Sequence, residues 1–332
     1  MKQSNPFSLI IICACFLFNG CDAQPQSNSL KLISSITLPR VSGRIDHLSF
    51  DSKQQIIFVA ALGNNTVEVV DLKNKKIIHT IKDLHEPQGV VFIPETNSIF
   101  VANGANGECI FFDAKSYSRS SSVDLKDDAD NVRYDAETNL IYVGYGTGGI
   151  AIIDAHTMKE VTSIQLDGHP ESFQVAKKQN RLYINVPDAN EIEVADLRTH
   201  SIISKWRNTN ASSNFPMALD ENNNRLFIGC RSPATLRMIN TETGKDIATI
   251  QCSGDADDVF YNAADSLVFV SAGKGYIDLF KANKNALKEV DHIETRSGAR
   301  TSLLLSSENK FLLAVPSRNG NPAELWVYDI RQ

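Results

Sequence analysis

Seven short apolar runs recur along the chain at a near-constant interval. They are IIFVA from Ile56, IFVAN from Ile99, IYVGY from Ile141, LYINV from Leu182, LFIGC from Leu226, VFVSA from Val268 and FLLAV from Phe311, with starts 41 to 44 residues apart. That interval is the period of a four-stranded propeller blade. Each repeat keeps one order: a strand ending in an apolar residue such as Phe50, Phe92 or Tyr134, a polar turn such as PETN or DENNN, and then the run itself. A third strand such as TVEVVDL and a fourth such as KIIHTI follow. Val, Ile, Phe and Tyr between Asn, Gly and Asp clusters is strand composition, and helix-forming stretches are nearly absent. Only stacked neighbours can bury both faces of such sheets, so the repeats must share one continuous core.

The seventh copy stops after its third strand, ELWVYDI, while the segment LKLISSITL from Leu30 to Leu38 matches no repeat. Donating that segment as the missing fourth strand closes the ring and removes the open sheet edge. The expected fold is therefore all-β: a seven-bladed β-propeller with four antiparallel strands per blade, the last blade closed by the amino-terminal strand. IFVANG, IYVGYG and TVEVVDL resemble the YVTN-repeat β-propeller family over nearly everything after residue 40. AALGNNTVEVVDL, EPQGV, HPES, FPMALD and GARTS resemble an exported bacterial branch of it. The resemblance implies the fold and leaves the activity open, because propellers host many unrelated functions.

The first 23 residues differ. Lys2 precedes an apolar run from Phe7 to Phe18, too short to span a bilayer and typical of a secretory leader. Gly20-Cys21 resembles a lipoprotein cleavage site, making Cys21 the acylated residue, although Phe18 and Asn19 depart from the usual pattern. The alternative is ordinary cleavage after Ala23. The domain reading is a leader over 1–23, a polar tether over 24–29 and a single propeller over 30–332. Both cleavage readings place the propeller outside the cytoplasm, as a periplasmic or membrane-anchored protein of a bacterial envelope.

The chain carries a net charge of −6 with both signs interspersed and no basic cluster. This argues against nucleic acid as a partner and leaves a lipid anchor as the only membrane attachment. Beyond the leader, Cys109, Cys230 and Cys252 lie in or beside apolar runs with no metal-ligand spacing, and read as buried thiols.

The phrase DADNVRYDAETNLIYVGYG from Asp128 returns as DADDVFYNAADSLVFVSAG from Asp255. Nine residues before each repeat's outer turn stand Asp46, Gln88, Asp130, Glu171, Phe215, Asp257 and Arg300. The first strand of each blade lines the central channel, so these side chains are expected to ring one mouth. Two residues earlier, and on the same strand face, are Arg44, Asp128, His169 and Asp255. One residue later are His47, Asn131 and Asp258. Turns reaching the same face carry Arg231 and Arg318, a basic sector beside an acidic arc. A structural reading has Asp46, Asp130 and Asp257 satisfying backbone donors or pairing with Arg44 and Arg300. A ligand reading has the acids concentrating a cation or polar ligand at a concave mouth. Position-to-position change to Gln, Phe and Arg favours the second, since a purely structural bond should recur in every blade.

A divalent cation is one candidate ligand: carboxylates with Asn131 suit a hard ion, while His47 or His169 tilts toward zinc or copper. GYGTGG from Gly144 has dinucleotide-fingerprint spacing, but a strand follows it, so it reads as a hairpin turn. The Asp ending many third strands (Asp71, Asp113, Asp154, Asp196, Asp329) is expected to accept turn amides. No catalytic triad spacing is present. The expected function is a monomeric, non-catalytic binding or scaffold protein for a small polar ligand or another envelope protein. The alternative is a metal-dependent, lactonase-like hydrolase using the mouth carboxylates.

Overall fold

In the computed structural model, which describes Met1 and residues 29–331, seven four-stranded antiparallel sheets stand around one axis. The leader, Cys21 and all of the tether but Ser29 lie outside the described residues. Blade 1 runs from Leu48–Asp51 through Ile56–Ala61 and Thr66–Asp71 to Lys76–Ile81, and the next five repeat that order outward from the channel. Blade 7 has three strands from the end of the chain, and Leu30–Leu38 pairs antiparallel with Ala323–Ile330 to complete it. The ring closes as the repeat count requires.

The second strand of each blade is apolar on both faces because both face a neighbouring blade. Phe58 packs with Ile99 and Val101 of blade 2, while Ile57 and Val59 pack with Leu312 and Leu325 of blade 7. Seven such apolar layers occur among the described residues, each between two adjacent blades. The fourth strands alternate instead, as in Ser201–Arg207, because one face meets water.

The turn between first and second strands fixes the register of every blade. Gln55, Asn97, Asn139, Asn180, Asn224, Ser266 and Asn309 all adopt a left-handed φ between 49° and 59°. Five of these are Asn, the side chain that best tolerates that conformation after Gly. Counting nine residues back from each lands on the channel ring named above, so one repeated turn places all seven members.

At the mouth end the inner strands are bulged. In blade 1 Asp46 N donates to Ala60 O at 2.7 Å while Ala60 N donates to His47 O at 3.0 Å, so two residues oppose one. Glu171 and Ser172 oppose Asn185 in the same way, and the register of blades 2, 3, 5 and 6 shifts at the same level. A bulge breaks strict alternation and turns consecutive side chains toward one side. That is how Asp46 and His47, or Asp130 and Asn131, both reach the channel.

Asp71, Asp113, Asp154 and Asp196 each accept amides of the turn that follows, for example Ser116 N on Asp113 Oδ1 at 2.7 Å. Asp329 differs from expectation: no turn follows it, and it pairs with Lys310 at 2.8 Å. GYGTGG is the hairpin between Leu140–Tyr145 and Gly149–Asp154. The three cysteines are free; Cys109 and Cys230 are buried and Cys252 is partly so. Burial raises all three thiols, Cys252 to about 12, so none is a thiolate at neutral pH.

Candidate functional site at the channel mouth

The Asp-Ala-Asp pairs converge on one opening. Ala129 and Ala256 are fully buried in the layers behind, and the flanking carboxylates turn to the mouth. A pocket of about 250 Å³ is lined by Arg44, Gln88, Asp128, Asp130, His169, Glu171, Arg231, Asp257 and Arg300, together with Phe215. Its floor is a void of about 20 Å³ bounded by Asp46, His47, Asp130, Asn131, Ser172 and their neighbours.

Two sectors differ in how their charges are satisfied. On the blade 5–7 side, Arg300 Nε lies 2.9 Å from Asp257 Oδ2, and its Nη1 lies 3.1 Å from Asp255 Oδ1. Arg231 pairs with Asp257, donates to Ala256 O at 3.0 Å, and stacks its guanidinium 3.8 Å above the Phe215 ring. Phe215 is therefore the apolar seat of a cation at a ring position otherwise held by polar residues, and its place in the ring is the signal for it. Here the structural reading holds: these acids are ion-paired. Arg318 sits on the rim, bonded to Ser297 Oγ at 2.8 Å, and does not line the pocket.

On the blade 1–4 side the acids outnumber the cations. Arg44 Nη2 lies 2.6 Å from Asp46 Oδ2, and Gln88 Nε2 donates to Asp128 Oδ1 at 2.9 Å. Asp130 is 7 % exposed and its Oδ1 has no hydrogen-bond partner among the described residues; the same holds for Asn131 Oδ1. His169 Nδ1 lies 2.6 Å from Gly146 O, which can only accept, so the proton is on Nδ1.

Burial lifts Asp130 well above the carboxylate range, and the charges of Asp46 and Glu171 add to it. Asp46 is raised by burial, opposed by His47 and Arg44. Glu171 is pushed from 4.5 to about 8 by burial and then by Asp257. Burial also lowers His47, which favours the neutral imidazole.

The folded protein thus holds a proton on Glu171 that the unfolded chain has released between pH 4.5 and about 8. Stability should fall as pH rises through that window. In chelator-containing buffer the melting temperature should be higher at pH 5.5 than at pH 8.5. Glu171→Gln should raise the pH 8.5 value by about 2 °C or more and flatten the profile. A pH dependence unchanged in Glu171→Gln would refute this.

Below the floor the channel reopens as a chamber of about 330 Å³, lined by His47, Ser172, Arg133, Gln174, Met217 and Asp258 among others. Asp258 belongs to this lower chamber rather than to the mouth. Its Oδ2 accepts Ser302 N at 2.6 Å, a bond to the next blade, and burial raises its carboxyl well above the usual range. Arg133 was not among the sequence candidates. It lies three residues past Asp130, donates to Ser172 Oγ at 3.1 Å and Val132 O at 2.8 Å, and caps the Phe173 ring at 5.5 Å. Reading the ring one level deeper along each strand would have found it.

The sequence matches no protein-family model. Among solved structures, the chain superposes on one from the crystal structure of a mitotic checkpoint complex with a TM-score of 0.78 at 13 % identity. The match covers 100 % of this chain and 99 % of that one. At that identity the likeness is one of fold. Fold and mouth together define a seven-bladed propeller with a polar, net acidic pocket at one end of its channel.

Proposed function

We propose that the protein is a non-catalytic binding propeller of the YVTN-repeat kind, exported and anchored through Cys21, that takes a small polar ligand at the channel mouth. The observation that carries this reading is the contrast between the two sectors. The Asp257–Arg300–Arg231 group is a paired wall, whereas Asp130, whose buried Oδ1 has no hydrogen-bond partner among the described residues, faces it together with Glu171. Buried polar groups left unpaired in a protein of this size ordinarily meet a ligand, an ion or ordered water. A ligand bearing a cationic or hydrogen-bond-donating group would satisfy both acids, while the arginine wall would orient its polar remainder.

The leader, with its apolar run and Gly20-Cys21, supports export and lipid attachment, and the polar segment 24–29 would serve as tether. Another envelope protein docking on the rim would use the same face.

Thermal-shift screening of purified protein against amines, amino acids and sugars in chelator-containing buffer tests the reading. The expected result is at least one stabilising compound whose effect disappears in Glu171→Gln. Absence of any stabilising compound would count against a small ligand. Turnover of a lactone or ester that is lost in Asp130→Asn would replace the binding role with the hydrolase alternative.

A further inference from the structure

The floor of the mouth has the donor set of a metal site. One ligand atom from each of Asp46, His47 and Asp130 lies within 4.8 Å of the other two. The void between mouth and lower chamber that they bound measures about 20 Å³, room for a single ion or water. Asn131, 3 % exposed, adds an amide oxygen with no hydrogen-bond partner, and Asp130 Oδ1 is likewise unpartnered among the described residues. The buried, unsatisfied amide oxygen of Asn131, next to Asp130 on one bulged strand, is an observation independent of the acidic cluster itself.

The imidazole stands between two carboxylates. His47 Nε2 lies 3.7 Å from Asp46 Oδ1, on the void side, and Nδ1 faces Asp258 Oδ1 at 3.8 Å on the other. Asp258 is fixed in turn by Ser302 N. A carboxylate that accepts from the non-ligating nitrogen orients metal-binding histidines, and Asp258, at 3.8 Å, would have to move closer to His47 to do so. Ligand atoms about 2.1 Å from a tetrahedral ion stand roughly 3.4 Å apart. The Asp46–His47 separation needs only a few tenths of an ångström of closure.

Gly89, in the blade between, permits this approach: a Cβ there would meet Asp130 O at 2.1 Å. Arg44 is ion-paired with Asp46 Oδ2 at 2.6 Å without hydrogen-bond geometry, and Oδ1 lies toward the imidazole. When ionised, Asp46, Asp130 and Glu171 carry three negative charges against the one of Arg44, and a dication brings the group to neutrality.

We propose that Asp46, His47 and Asp130, assisted by Asn131, bind one divalent first-row transition-metal ion, of the Zn²⁺ or Mn²⁺ type, between the mouth and the lower chamber. Two carboxylates with an imidazole suit such an ion better than Ca²⁺, which takes six to eight oxygens. Two other acidic clusters have protein partners. Asp278 accepts from Ser253 and pairs with His292. Lys205 pairs with Asp167 and lies 3.8 Å from Glu193 and 4.0 Å from Glu191, and Asp167 N donates to Glu193 Oε1, leaving Glu193 Oε2 without a hydrogen bond among the described residues.

The test uses the mature protein stripped with chelator and titrated calorimetrically with ZnCl₂ or MnCl₂ alone. One ion per chain is expected, with affinity reduced at least tenfold in Asp130→Asn and in His47→Gln, and unchanged in His292→Asn. Pulsed electron paramagnetic resonance of bound Mn²⁺ should show imidazole nitrogen coupling that vanishes in His47→Gln. Binding weaker than millimolar would overturn the proposal. So would binding lost in His292→Asn rather than in the floor variants, or Mn²⁺ without nitrogen coupling. Because the compound screen is run with chelator, metal binding and ligand binding can fail separately.

Discussion

A chain lacking Leu30–Leu38 is expected to express as an aggregating or unfolded protein rather than as a slightly weakened propeller. Leu30, Ile36 and Leu38 are at most 3 % exposed, and full burial of such side chains stabilises by about 1.5–3 kcal/mol each. Their joint loss, about 5–9 kcal/mol, is comparable to the whole stability of an ordinary domain, about 5–15 kcal/mol. The deletion also exposes the unpaired edge of Ala323–Ile330, a template for strand addition by another chain. The milder Ile36→Ala should fold and lose about 2–5 kcal/mol in urea unfolding. A soluble deletion variant melting within a few degrees of the full chain would show that closure contributes little.

Gly89→Ala should be strongly damaging for the addition of a single methyl. The added Cβ would lie 2.1 Å from Asp130 O and 2.4 Å from Val132 Cγ2, and a backbone oxygen in a paired strand cannot rotate away. Blade 3 must shift outward against its packing with blade 2. Overpacking of this kind typically costs about 1–3 kcal/mol, occasionally more. For a chain of this length that is a melting-temperature loss of about 1.5–5 °C by calorimetry. Any ion held between Asp46 and Asp130 should be bound more weakly in the same variant. A melting temperature within about 1 °C of wild type would mean that the two blades do not press on each other at the floor.

The fold was legible because its determinants are local and repeated. Seven left-handed turn residues, each followed by the same apolar run, leave one architecture open, and the incomplete seventh copy pointed to Leu30–Leu38. Placement of Asp46, Asp130, Glu171 and Asp257 around one mouth followed from the same register. What the pattern could not convey is which charges neutralise one another. That depends on distances between strands of one blade and between neighbouring blades, and on rotamers the repeat does not control.

Arg231 stacking on Phe215 and Arg300 clasping both Asp255 and Asp257 are contacts of this sort. Asp258 moved to the lower chamber because the bulge at Ala256 alters strand phase, and strict alternation carries no mark of a bulge. Arg133 escaped notice because it lies beyond the acidic phrase, under the floor.

Arg331 N donates to Ser29 O at 2.9 Å, directly beside the pairing of Leu30 with Ile330. Ser29 and Arg331 thus sit next to each other just past the ends of two paired strands, where the surrounding structure is continuous. Residues 29–331 trace a closed circuit, with those two positions as its ends. Joining those ends with a short linker and reopening the chain in any exposed connection between blades would produce the same object with a different starting residue.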